Sequence, residues 1–156
     1  MKKLVLLVAL LVSTLTFAQT ETKESKLQPY VALNLSIGDT DGGTFGSTSY
    51  ASAEFGVTHE NLSFGAILGR NNLMNIGDNE SFNNYFYQGK VAASTSLGYV
   101  DGYALVGLGS YFEAGGIFTE YGVGISKEIS DRFGAFIQVS NWDGTTYVTP
   151  GISYSL

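Results

Sequence analysis

From Pro29 to Leu156 the chain alternates apolar and polar residues in short runs, broken by clusters of Gly, Asn and Asp. A period of two sends successive side chains to opposite faces of an extended strand, and no stretch keeps the 3.6-residue spacing of an amphipathic helix. Eight strands are predicted: Pro29–Ile37, Ser49–Thr58, Leu62–Gly69, Tyr85–Gly98, Tyr103–Phe112, Thr119–Glu128, Arg132–Ser140 and Tyr147–Leu156. Most approach the ~9–11 residues with which a tilted strand crosses a bilayer.

One face of each strand is apolar. The first sets Val31, Leu33, Leu35 and Ile37 against Ala32, Asn34 and Ser36; the second sets Ala51, Ala53, Phe55 and Val57 against Ser52, Glu54, Gly56 and Thr58. In the sixth, Tyr121, Val123 and Ile125 oppose Gly122, Gly124 and Ser126, and in the last Val148, Ile152, Tyr154 and Leu156 oppose Thr149, Gly151, Ser153 and Ser155. Asp101-Gly102 predicts a two-residue type I′ hairpin, because both of its positions tolerate positive φ. With Val100 opposite Tyr103 across it, Ala104, Val106, Leu108 and Phe112 share a face with Val91 and Ala93. The pattern leaves the faces of Arg132–Ser140 unassigned.

Charge decides which face is outside. Within the eight strands the charged residues are Glu54, Lys90, Glu120, Lys127, Glu128 and Arg132, and the rest of the polar face is mainly Gly, Ser, Thr, Ala, Asn and Gln. Charged residues are 14% of the chain, against about 25% in soluble domains. Such a face is a poor exterior for a soluble protein and a good lining for a narrow barrel, where small residues leave space for the few large ones. The connections agree. Gly38–Thr48 and Arg70–Asn84 are long and polar, His59–Asn61, Tyr99–Gly102 and Ile129–Asp131 are tight, and Glu113–Phe118 and Asn141–Thr146 are intermediate. Alternating long loops and short turns are the habit of outer-membrane barrels. The expected fold is all-β, an eight-stranded antiparallel up-and-down transmembrane barrel over residues 29–156. A soluble lipocalin-like barrel alternates too and is the competing architecture.

The N-terminus fits that destination. Lys2 and Lys3, the apolar run Leu4–Val12 and a small residue at Ala18 read as a secretory signal over residues 1–18, since the run is about half of the ~20 residues of a spanning helix. Residues 19–28 read as a short periplasmic leader. With no cysteine in the chain there is no disulfide framework, so stability must come from closure and packing. Without Lys2 and Lys3, six basic residues face fourteen acidic ones, which argues against a nucleic-acid partner.

Among residues that carry chemistry, Glu54 and Lys90 share the small-residue face at similar depth and read as a luminal ion pair, with Glu120 nearer the outer rim. Tyr85, Tyr87, Tyr99, Phe112, Tyr121, Trp142, Tyr147 and Tyr154 fall near strand ends and read as aromatic girdles, with a ligand-stacking platform as the alternative. His59, the chain's one histidine, lies in a tight turn without an evident serine partner, and reads as a solvated turn residue rather than a general base. Asp39, Asp41, Gly42 and Gly43, and Asp78, Asn79 and Glu80, could offer oxygen to Ca²⁺ but match no calcium-loop spacing, so no metal or cofactor is expected. Gly107-Leu108-Gly109 opens no helix and fits strand packing in a curved wall rather than a phosphate loop.

The C-terminal run Val148-Thr-Pro-Gly-Ile-Ser-Tyr-Ser-Leu156 resembles the closing strand of bacterial outer-membrane proteins, with Leu156 where those strands usually end in Phe. With the Ala18-Gln19 junction and eight short strands, the chain resembles the OmpA/OmpX-like outer-membrane β-barrel superfamily, in particular its small Bacteroidetes-type members. The resemblance implies an integral protein of the bacterial outer membrane with both termini in the periplasm, and an assembly signal in Ile152, Tyr154 and Leu156 read by the barrel-assembly machinery. The expected role is structural or surface-interacting and non-enzymatic, in a monomer whose lumen is plugged by side chains. Its partners are outer-membrane lipid and an extracellular contact at loops 38–48 and 70–84. The alternatives are a lipid A-modifying enzyme and a soluble secreted binding barrel.

Overall fold

The computed structural model describes residues 27–39, 48–71, 85–112 and 116–156. Eight strands follow one another around a closed barrel: β1 (Gln28–Asp39), β2 (Thr48–His59), β3 (Leu62–Asn71), β4 (Tyr85–Ser96), β5 (Asp101–Tyr111), β6 (Ile117–Glu128), β7 (Phe133–Trp142) and β8 (Thr145–Ser155). Each pairs antiparallel with the next, and β1 closes onto β8 through pairs such as Tyr30↔Ser155 and Leu33↔Ile152. Closure leaves no strand edge, so backbone donors and acceptors are satisfied along the wall. The signal segment 1–18, residues 19–26 of the leader, and residues 40–47 and 72–84 of the two long loops lie outside the described residues.

The ladder carries the alternation around the barrel. Pairs such as Ala32↔Glu54, Gly65↔Lys90 and Gly107↔Glu120 keep one set of side chains inside. Leu33, Phe55 and Val123 stand outside, at 60%, 54% and 62% exposure, while the inward Glu54, Glu120 and Gln138 are buried. A water-soluble barrel has the reverse distribution. The unassigned strand follows the same rule: Phe133, Ile137 and Val139 point outward, and Phe136, Gln138, Ser140 and Trp142 inward.

Inward glycines admit the larger side chains. A Cβ on Gly69 would collide with the Phe86 ring, one on Gly109 with Phe118, one on Gly151 with Phe136, and one on Gly65 with the Glu54 carboxylate. Glycine in these strands vacates volume for a neighbour.

Two turns differ from the sequence reading. Asp101 and Gly102 are not a turn; they lie in β5, opposite Ser96 and Thr95. The connection is Leu97–Val100, closed by the Leu97 N–H donating to Val100 O at 2.9 Å, with Gly98 at φ +96°. The shift moves the register but keeps odd residues of β4 opposite even residues of β5, so Val91↔Val106 and Ala93↔Ala104 remain on the outer face. The intermediate loop Asn141–Thr146 is in fact a two-residue hairpin. Trp142 pairs with Thr145 across Asp143 (φ 47°) and Gly144 (φ 93°), which is type I′ geometry. The β1–β8 ladder skips from Asn34↔Gly151 to Ile37↔Val148, where Pro150 has no N–H to give. Inside that gap Ser36 and Thr149 share a 2.6 Å hydroxyl hydrogen bond.

Candidate functional site

The barrel interior gathers the polar chemistry of the described residues. Glu54 on β2 accepts from Lys90 Nζ of β4 at 2.5 Å and from the Tyr30 hydroxyl of β1 at 2.5 Å. Its side chain reaches Lys90 by lying over Gly65, where any Cβ would block it. A buried carboxylate with a cation and a hydroxyl donor has its charge and one lone pair on each oxygen compensated.

Glu120 is not part of that pair. Its oxygens accept from Gln88 Nε2 at 2.6 Å and Gln138 Nε2 at 3.1 Å. Lys90 and Glu120 flank Gly107 in one row, but the Gln88 amide occupies the space over that glycine and separates them. Tyr103 extends the network by donating to Gln138 Oε1 at 3.5 Å.

Toward the loop end, rings replace amides. Tyr50, Phe86, Phe118, Trp142 and Tyr147 form one buried cluster, flanked by Tyr111. Trp142 lies 4.8 Å from Phe86, 4.1 Å from Phe118 and 5.0 Å from Tyr50 between ring centroids. The sequence reading of Tyr147 and Trp142 as girdle residues is therefore corrected: both point into the barrel. The pattern held the signal for it. Tyr147 alternates with the outward Val148, and Tyr50, Phe86 and Phe118 share parity with Glu54, Lys90 and Glu120.

Toward the turn end the interior opens into a cavity of about 240 Å³ with Glu54, Lys90, Tyr30 and Tyr103 in its deeper wall and Asp101, Glu128 and Asp131 toward its mouth. His59 sits at this end, not in the turn but as the last residue of β2, paired with Leu62 across Glu60, whose φ is 54°, and Asn61. Among the described residues no group of three or more His, Cys, Asp or Glu is placed to hold a metal ion. The Ca²⁺ candidates Asp41, Gly42, Gly43, Asp78, Asn79 and Glu80 lie outside the described residues, as does the side chain of Asp39.

The other predicted aromatic residues are on the outside. Tyr85, Tyr87, Phe112 and Tyr121 are exposed near the loop end, where Tyr87 meets Phe112 edge-on at 5.1 Å. Tyr99 is exposed in the β4–β5 turn. Tyr154 packs on Phe133 at 4.9 Å and accepts from Arg132 at 3.1 Å. At the closing strand Ile152 points outward, and the Leu156 N–H donates to Pro29 O at 2.9 Å.

No family model matches the chain, and no curated protein is similar to it in sequence. Solved structures share its architecture. A de novo designed transmembrane β-barrel aligns with a TM-score of 0.67 at 16% identity, covering 88% of this chain and 100% of that one. A second design, TMB2.3, gives 0.56 at 12% identity over 86% and 98%. Neisserial surface protein A gives 0.55 at 11% identity over 86% and 100%. At such identities the shared property is the fold, that of small transmembrane β-barrels.

Proposed function

We propose that this chain is an integral protein of a bacterial outer membrane, a small OmpA/OmpX-like barrel of the Bacteroidetes type acting as a monomeric, non-enzymatic structural or surface-interacting element. One observation carries the reading: the wall is apolar outside and polar inside, with Leu33, Phe55, Val123 and Ile152 more than half exposed around a buried Glu54 and Glu120. In water that distribution exposes apolar surface; in a bilayer the same surface meets acyl chains and its cost disappears, while the inward charges stay compensated by their luminal partners.

The fold of the solved barrels supports the location, and the rings at Tyr85, Tyr87, Phe112 and Tyr121 suit an interface with headgroups at the loop end, as Tyr99 and Tyr154 do at the other. Eight strands enclose little more than their own side chains, so the ring cluster above the Glu54–Lys90 and Glu120 networks plugs the lumen. Ile152, Tyr154 and Leu156 in the closing seam serve assembly, and loops 38–48 and 70–84 are the surface for an extracellular partner.

Gel migration tests the membrane barrel. Folded in detergent, the protein is expected to migrate differently before and after boiling and to require detergent for solubility. Identical migration, with solubility in plain buffer, would overturn it.

A further inference from the structure

We propose that the outer wall of this barrel binds a phosphorylated glycolipid of the outer leaflet, with Arg70 taking the phosphate and the groove below it taking an acyl chain; the proposal rests on the outer-membrane reading above. A shallow groove of about 790 Å³ runs along the wall of β1 to β4. Its floor is low because Ala51 and Ala53 are small, while Leu33, Leu68 and Phe112 rise around them. Methyl side chains between bulky ones leave a channel that an aliphatic chain fills by dispersion contact.

At the loop end of this channel stands Arg70, exposed on β3 and paired with Ala51 on one side and Tyr85 on the other. Its guanidinium lies over the Tyr85 ring, 5.7 Å from the centroid. The Phe112 N–H donates to Tyr85 O at 3.0 Å, which sets Phe112, just past the end of β5, opposite Tyr85, with its ring edge-on to Tyr87. Among the described residues no carboxylate lies within ion-pair distance of Arg70, and the pair that does form is Lys90 with Glu54 inside the barrel.

A cation on the lipid-facing wall costs about 2–4 kcal/mol at mid-bilayer and about 0–1 near the interface, so Arg70 belongs where headgroups are. The cation–π contact with Tyr85 holds the guanidinium near the ring, and its planar fork of N–H donors suits bidentate bonding to phosphate. The aliphatic channel beneath demands a hydrocarbon tail on the same molecule. A phosphate monoester on a saturated glycolipid meets both demands. Neutral glycolipids lack the anion, and soluble polyanions lack the tail; an anionic phospholipid has both, and the place of Arg70 at the loop end, the outer-leaflet side in the reading above, selects the glycolipid.

Native mass spectrometry of the mature protein in detergent tests the site, with bisphosphorylated lipid A, its fully dephosphorylated counterpart and phosphatidylglycerol as probes. The wild type is expected to retain one equivalent of the bisphosphorylated lipid about tenfold more strongly than the dephosphorylated one, the scale of one lost charge-assisted pair. Arg70→Gln should abolish that preference, Arg70→Lys should keep part of it because it loses the planar fork, and Lys127→Gln at the turn end should leave it intact. Retention that ignores the phosphates, or that survives Arg70→Gln, would overturn the site. Preference for phosphatidylglycerol would overturn the choice of occupant. Heat-dependent migration of each variant reports folding, so loss of the lipid site is distinguishable from failure of the membrane-barrel reading.

Discussion

Lys90 and Glu54 depend on each other as buried partners must. Glu54 is 1% exposed and Lys90 11% at the side chain, so removing the lysine leaves an anion with the Tyr30 hydroxyl as its remaining hydrogen-bond donor. Lys90→Met is expected to lower the unfolding free energy in lipid vesicles by about 3–5 kcal/mol, the cost of an uncompensated buried charge. Combining it with Glu54→Gln should return most of that loss, and a double-mutant cycle on urea unfolding measures the coupling. Additive losses would mean that the two side chains do not compensate each other. Parity along β2 and β4 puts this pair on one face from sequence alone, and β6 adds Glu120. What sequence does not reveal is the partner of Glu120, because Gln88 and Gln138 carry no charge to flag them, and because the space over Gly107 that Gln88 fills exists only once three strands are in register.

Two Asp-Gly dipeptides with the same local turn chemistry meet opposite fates in this barrel. Asp143-Gly144 makes the β7–β8 hairpin, and Asp101-Gly102 is ordinary strand. Gly144 at φ 93° holds a backbone conformation that L residues rarely adopt, although the space around it is open, so Gly144→Ala is expected to cost about 1–2 kcal/mol. Gly102→Ala meets only the flexible end of Leu97, at 2.9 Å from its Cδ1, and should stay within about 0.5 kcal/mol of wild type. Urea midpoints of the two variants decide; equal losses would contradict the assigned turns. The reason that sequence misplaces the first hairpin is non-local: both dipeptides suit positive φ, and the choice falls to whichever register pairs the flanking strands through their length. The faces survive the error because the slip preserves odd-to-even pairing. Aromatic residues expose a second gap. Trp142 and Tyr147 are near a strand end, which suggests an interface ring, whereas alternation with Val148 already sends Tyr147 inside.

For the molecule as a whole, the eight strands, their order and the direction of each assigned face follow from alternation, low charge and loop lengths, since a closed barrel offers one way to satisfy every backbone group while turning apolar side chains toward lipid. The interior packing does not follow so directly, because several large inward side chains sit over a glycine of the neighbouring strand, as Phe136 does over Gly151 and Phe86 over Gly69, and those contacts exist only once the strands are in register. The central claim is that orientation. It is tested most directly by single-cysteine spin labels placed along residues 51–58 of β2 in lipid vesicles, in a chain with no native cysteine. Oxygen accessibility should rise and fall with a period of two, highest at Ala53, Phe55 and Val57 and low at Ser52 and Gly56. Accessibility without alternation, or greater access of a water-soluble nickel chelate at Ala53, Phe55 and Val57 than at Ser52 and Gly56, would contradict it.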